Sequence, residues 1–166
     1  DRPTRPLFPK GFLNEIQIIA IVLSSDGEND PDILAVTGAS AALSISDIPF
    51  NGPLACCRVG RVNNEFILNP TYAELDSSDL DLVVAANNKG VMMLESKAKE
   101  VSEEVFQEGV KFGYESLKGI IQFQEDFSKE FGKPKADYIE YKEVNPKLQE
   151  KTEDLATEKL KEIYKL

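Results

Sequence analysis

Four carboxylates, Glu74, Asp76, Asp79 and Asp81, crowd one short stretch of the chain. If residues 79–86 form a strand, Asp79 and Asp81 point to the same face. Two carboxylates on one face could hold Mg²⁺ while it keeps several of its waters. The plainer alternative is a solvated strand face opposite Leu80 and Leu82. A second chemical feature is Arg2 and Arg5 in DRPTRPLFPKGF, a stretch with three prolines. Proline fixes φ, so a rigid extended lead-in is expected that aims both arginines near one surface. Guanidinium forks suit phosphate. The competing reading is two surface arginines paired with nearby acids.

Other chemistry is excluded or weak. The chain has no histidine, which removes Ser-His-Asp and Cys-His catalysis and every histidine metal site. Cys56 and Cys57 are adjacent, a poor geometry for an ordinary disulfide. They read as two thiols of a half-buried strand in a reduced protein. Gly38 in VTGAS lacks the glycine spacing and the lysine of a triphosphate cradle, and helix packing accounts for it better. The aromatic residues after Ser102 recur at the spacing of a helix core, not of a base-stacking platform.

The net charge of −10 argues against indiscriminate nucleic-acid binding. Residues 1–98 carry 7 basic and 13 acidic residues, so this part is not basic either. An apolar fraction of 42% is enough for a core. No apolar run is long enough to span a membrane, so no membrane partner is expected. The N-terminus lacks a secretory pattern, which points to a cytoplasmic protein. The chain opens on Asp1-Arg2-Pro3 without an initiator Met, and a fragment with its upstream part missing is expected.

The elements that must position these residues are legible from periodicity and punctuation. Residues 15–24, EIQIIAIVLS, read as a central strand, apolar on both faces. Asp30 and Pro31 suit the start of a helix. That helix runs to about Asp47 and is nearly uncharged, so burial on most sides is expected. Residues 54–62 and 65–68 read as a hairpin closed by Asn63-Asn64. A short helix follows Asn69-Pro70-Thr71, and residues 79–86 pair with GVMMLE across a turn at 87–90. The fold class is therefore α+β, a two-layer unit of sheet and helices.

From Ser96 the composition changes. Ser102 can cap a long helix, with Val101 and Phe106 as a hydrophobic staple. Phe106, Val110, Leu117, Ile120, Ile121, Phe127 and Phe131 form its apolar stripe. Gly132 would end it as a left-handed cap. After a linker at 135–144, Asn145-Pro146 opens a second helix that still runs at Leu166. Residues 1–98 are thus expected to belong to one domain and 99–166 to the start of an all-helical one.

Several stretches together resemble bacterial polynucleotide phosphorylases: DRPTRPLFPKGF at 1–12, NDPDILAVTGASAALSISDIPFNGP at 29–53, RVGRVNNEFILNPTYAEL at 58–75, and SDLDLVVAANNKGVMMLESKAKEVSEE at 78–104. The likeness is collinear over residues 1–104. It implies a phosphate-dependent 3′-to-5′ exoribonuclease with two ribonuclease PH-like domains around an all-helical domain, followed by KH and S1 RNA-binding domains. It implies a trimeric ring that uses Mg²⁺ and inorganic phosphate, acts on RNA, and releases nucleoside diphosphates. Other RNA-degradation proteins are possible partners.

On that resemblance this chain is the later part of the first ribonuclease PH-like domain and the start of the helical domain. The active centre of such enzymes lies in the second ribonuclease PH-like domain. There a serine-rich turn holds phosphate, where this chain has Asn29-Asp30-Pro31-Asp32. Asp81 falls where the active copy has an aspartate, but Val83 stands where that copy has a lysine. The resemblance therefore implies a silent copy with no catalytic residue, no metal ligand and no cofactor of its own, which builds the ring and lines the RNA path. Arg2 and Arg5 are the expected RNA contacts. The rival reading is a non-enzymatic assembly module whose acidic face and helices bind a protein.

Overall fold

The computed structural model describes residues 1–139, 141 and 145–165. Two compact units are distinguished: Asp1–Pro9 with Ile16–Asp137, and Lys10–Glu15 with the described residues from Tyr138 onward.

The first unit is built on a four-stranded antiparallel sheet in the order β2-β1-β3-β4. Its strands are β1 (Ala55–Val62), β2 (Glu65–Leu68), β3 (Leu80–Asn87) and β4 (Gly90–Ala98). Asn63 and Asn64 both take positive φ, 51° and 67°, the conformation that a two-residue hairpin turn of matching twist requires. At the second hairpin, the Asn87 side-chain carbonyl accepts the N–H groups of Lys89 and Gly90. A short helix at Tyr72–Ser77 links the two hairpins; Thr71 and Glu74 cap it reciprocally.

Both faces of the sheet are covered. Ala55, Cys57, Val59, Leu80, Leu82, Val84 and Ala86 face a long helix, and Leu117 and Ile121 complete that core. The opposite face gathers Cys56 and Ala85 with Ile33, Leu43, Phe50 and Leu7. Ile33 and Leu43 come from helix α1 (Asp32–Ile45). The tripeptide Asp30-Pro31-Asp32 starts it differently from expectation. Pro31 is the cap residue, and the Asp30 carboxylate accepts the Asp32 N–H at 3.2 Å.

The short helix at Tyr72–Ser77 is α2, and the long helix is α3 (Glu103–Phe131). Ser102 caps α3 by accepting the Val105 N–H, as expected. Its glycines allow the close approach. A Cβ on Gly113 would lie 2.9 Å from Val84 and 3.1 Å from Val59. Helix α3 lies on the sheet, and the first compact unit runs to Asp137.

Four expectations are corrected. Residues 15–24 form no strand, and Ile19, Ile21 and Leu23 are 70%, 74% and 92% exposed. A strand exists only where a neighbour takes its N–H and C=O groups, and no described strand pairs with this stretch. Helix α1 is buried along one line only, since Leu34, Gly38 and Ala42 are exposed and nothing lies within 4 Å of a Cβ built on Gly38. The proline-rich start turns back instead of extending, with Arg5 N–H on Asp1 O and a 3₁₀ turn at Arg5–Leu7. Proline's fixed φ suits such a turn as well as an extended chain. Lastly, Gly132 is extended (φ −71°, ψ 145°) rather than left-handed. A side chain there would collide with the Ser128 carbonyl, which is the reason for glycine.

The apolar stripe of α3 is likewise only partly core. Leu117 and Ile121 are buried, whereas Ile120 and Phe131 are 46% and 58% exposed. In the second unit, helix α4 (Pro146–Tyr164) begins as expected, with the Asn145 side chain accepting the Lys147 N–H. Its Leu148, Leu155 and Ile163 are exposed. Residues 140 and 142–144 of the expected linker, and Leu166, lie outside the described residues. No helix among the described residues is long and apolar enough to cross a membrane.

Candidate functional site: Arg58 among three carboxylates

The middle of β1 carries a charge where its neighbours are apolar: Cys56, Cys57, Arg58, Val59. The pleat sends Arg58 to the α1 side of the sheet, two rungs from the Gly60–Asp81 pair and so on the same face as Asp81. The loop before α1 brings up two more carboxylates. Arg58 Nη2 donates to Asp32 Oδ2 at 2.8 Å and lies 3.3 Å from Asp30 Oδ2, while its Nε lies 3.7 Å from Asp81 Oδ1. The guanidinium side chain is 14% exposed. Arg58 Nε and Asp81 Oδ1 are buried and make no hydrogen bond.

The backbone around Arg58 is fixed from the other side. Asn69, at φ 49°, accepts the Arg58 N–H on its side-chain oxygen and donates its own N–H to the Arg58 carbonyl. An open pocket of about 220 Å³ lies at this cluster. Asn29, Asp30 and Arg58 line it together with the apolar Ile33, Leu34 and Pro70. Ahead of it the loop is held by Asp26, whose carboxylate accepts the N–H groups of Glu28 and Asn29. Those hydrogen bonds, from Asn29 first, hold its pKa down at about 2.

The four-acid constellation of the sequence is divided among separate tasks. Asp79 pairs with Arg61, Asp81 faces Arg58, and Glu74 closes the cap of α2. Among the described residues no group of three carboxylate, cysteine or histidine side chains is arranged to hold a metal ion. The proposed joint use of Asp79 and Asp81 for Mg²⁺ is therefore not what the geometry provides, because each is turned to its own guanidinium. Arg58 was missed as the centre of the cluster. The signal for it was an arginine set among apolar residues in the middle of a strand, which must find counter-charges when most of it is buried.

The remaining candidates are placed plainly. Arg2 lies 3.3 Å from Glu95 and Arg5 is paired with Asp1 at 2.8 Å, all four side chains well exposed. Val83 sits opposite Arg58 in the ladder and packs against the α1-side core. Cys56 and Cys57 are free and buried on opposite faces of the sheet, and burial pushes both thiols up to about 12.

Comparison with known proteins gives this arrangement its context. Residues 1–49 match domain 1, and residues 52–116 domain 2, of the 3′ exoribonuclease family. The chain is 48% identical over its whole length to the polyribonucleotide nucleotidyltransferase of Sulfurihydrogenibium sp. (strain YO3AOP1), covering 24% of that protein. It is also 48% identical to the enzyme of the same name from Sulfurihydrogenibium azorense, covering 23% of it. The chain thus spans about a quarter of the length of these relatives. A crystal structure of rice (Oryza sativa) Rrp46 shares the fold, with a TM-score of 0.55 at 19% identity over 61% of this chain and 49% of that one. With an α+β sheet unit of this fold and both family domains matched in order along it, the chain belongs to the 3′ exoribonuclease family.

Proposed function

We propose that this chain is a catalytically silent part of a phosphate-dependent 3′-to-5′ exoribonuclease that releases nucleoside diphosphates from RNA. The observation that carries the silent reading is the ion-pair cluster of Arg58 with Asp30, Asp32 and Asp81. A phosphate ion entering here would meet three carboxylates against one guanidinium that is already taken. Charge stabilisation of a phosphoryl-transfer transition state needs the opposite balance, cations aimed at the developing negative charge. The residues present do not fit a resident Mg²⁺ either, because Asp81 is turned toward a guanidinium and its partners in a coordination shell are missing among the described residues.

In this reading Mg²⁺ and phosphate are used elsewhere in the longer parent protein, and this part serves the assembly of a homotrimeric ring and the path of RNA in the cytoplasm. The 48% identity to polyribonucleotide nucleotidyltransferases over the full chain supports the parent activity. The exposed Arg2 and Arg5 are the proposed RNA contacts, since each carboxylate partner is solvent-exposed and such pairs exchange readily for a phosphate. The test is release of nucleoside diphosphate from poly(A) with phosphate and Mg²⁺, by this chain and by the parent. Activity in the parent alone is expected. Activity in this chain alone would overturn the silent reading.

A further inference from the structure

The C-terminal end of α1 has an unusual set of partners. The last carbonyls of a helix have no partner within it and carry the negative end of its dipole. Helix α1 has no basic residue of its own in the last turn. Its own chain supplies the Ser46 N–H for Ala42 O and the Ser46 hydroxyl for Leu43 O. The rest comes from a segment some ninety positions later. Lys135 Nζ donates to Leu43 O at 2.9 Å, Ser44 O at 3.0 Å and Ser46 O at 2.7 Å. On either side of it, Lys133 N–H donates to Ile45 O at 2.9 Å and Ala136 N–H to Asp47 O at 2.7 Å. The Ser128 hydroxyl, in the last turn of α3, donates to Ser44 O at 2.9 Å.

We infer that Lys135 is a latch: its ammonium group clamps the strap 132–136 onto the end of α1 and so fixes the last stretch of the first unit before the chain passes into the second. Three features favour a latch over ordinary packing. An ammonium group has three donors, and all three are spent on carbonyls of one helix end. The strap itself offers no apolar side chain to the core clusters, so hydrogen bonds and charge hold it. It also contains Gly132 and Pro134, which end α3 and give it no helical or sheet ladder of its own. Burial acts against the charge, lowering the Lys135 pKa, and the nearby Asp47 opposes that effect. On this inference the clamp is local, so losing it frees the strap while the sheet stays intact.

The test is amide hydrogen exchange on the intact protein that carries this chain, with Lys135→Met and Lys135→Arg as variants. Methionine keeps the length of the stem and removes charge and donors; arginine keeps both. The amides of Lys133 and Ala136 report directly, because they donate to Ile45 and Asp47. For Lys135→Met their exchange is expected to quicken by about tenfold or more, while amides of the central strands, such as Val59 and Val84, stay within about twofold. Lys135→Arg is expected to lie close to wild type. Unchanged exchange at 133 and 136 in the methionine variant would overturn the latch. So would equal quickening of the strand amides, which would make Lys135 a general stabiliser, or an arginine variant as fast as the methionine one.

Discussion

Arg58 and Asp32 meet at 2.8 Å, one from the middle of a central strand and the other from the first turn of the helix that covers it. This contact ties the first turn of α1 to the middle of β1. Asp30 and Asp81 surround the same guanidinium. Removing the arginine leaves three carboxylates converging with nothing between them. Arg58→Met is expected to destabilise the first unit by about 1–3 kcal/mol, less than a fully buried pair because the carboxylates keep part of their water. Adding Asp81→Asn should recover part of the loss. Urea unfolding of the two single variants and the double variant measures this, and additive losses would show that the two groups do not interact.

Glycines in α3 separate packing from propensity. Gly113→Val pushes atoms into Val84 and Val59, where even a Cβ would be 2.9 and 3.1 Å away. A loss of about 1–3 kcal/mol is expected from this overpacking. At Gly119 nothing lies within 4 Å of the same atom, so Gly119→Ala should stabilise by about 0.5–1 kcal/mol through helix propensity alone. Thermal unfolding of both variants should shift in opposite directions.

The thiols give a pH dependence with a definite sign. Burial raises both cysteines from 9.0 to about 12 in the folded state. Between these values the unfolded chain loses protons that the folded one keeps, so stability falls as pH rises through this window and is unaffected by the thiols below it. Denaturant midpoints at successive pH values check the trend. Consistent with it, a thiol reagent at neutral pH should label neither cysteine until the chain is unfolded.

The double variant Arg2→Ala with Arg5→Ala, made in the parent protein, should weaken RNA binding and flatten its dependence on salt. On single-stranded RNA, two fewer phosphate contacts reduce the slope of log affinity against log salt by about 1.4. Binding isotherms across a salt series decide it, and an unchanged slope would remove both residues from the RNA path.

Much of the fold was legible, for specific reasons. The hairpin at Asn63-Asn64 was written in turn residues that take positive φ cheaply, and Ser102 announced α3 by its own side chain. Local chemistry of this kind needs no knowledge of the rest of the chain. The segment 15–24 failed for the opposite reason: its alternating apolar residues describe what a strand would bury, and a strand also needs a neighbour. Gly109 and Gly113 passed unread because their role, close approach of a helix to Leu80 and Val84, belongs to tertiary packing. At the candidate site, Asp81 was read from the acidic stretch, but its partner Arg58 lies 23 positions earlier on the adjacent strand, and Asp30 and Asp32 on another element. Such a convergence is a product of topology, so spacing along the chain grouped Asp81 with Asp79 instead.

The most direct test of the silent site is phosphorolysis by the parent protein carrying Asp81→Asn, an exchange of nearly equal size. If the cluster around Arg58 does no chemistry, the rate of nucleoside diphosphate release should stay within about twofold of wild type. A fall of about a hundredfold or more in a protein that still folds and assembles would make Asp81 a catalytic group and contradict the account.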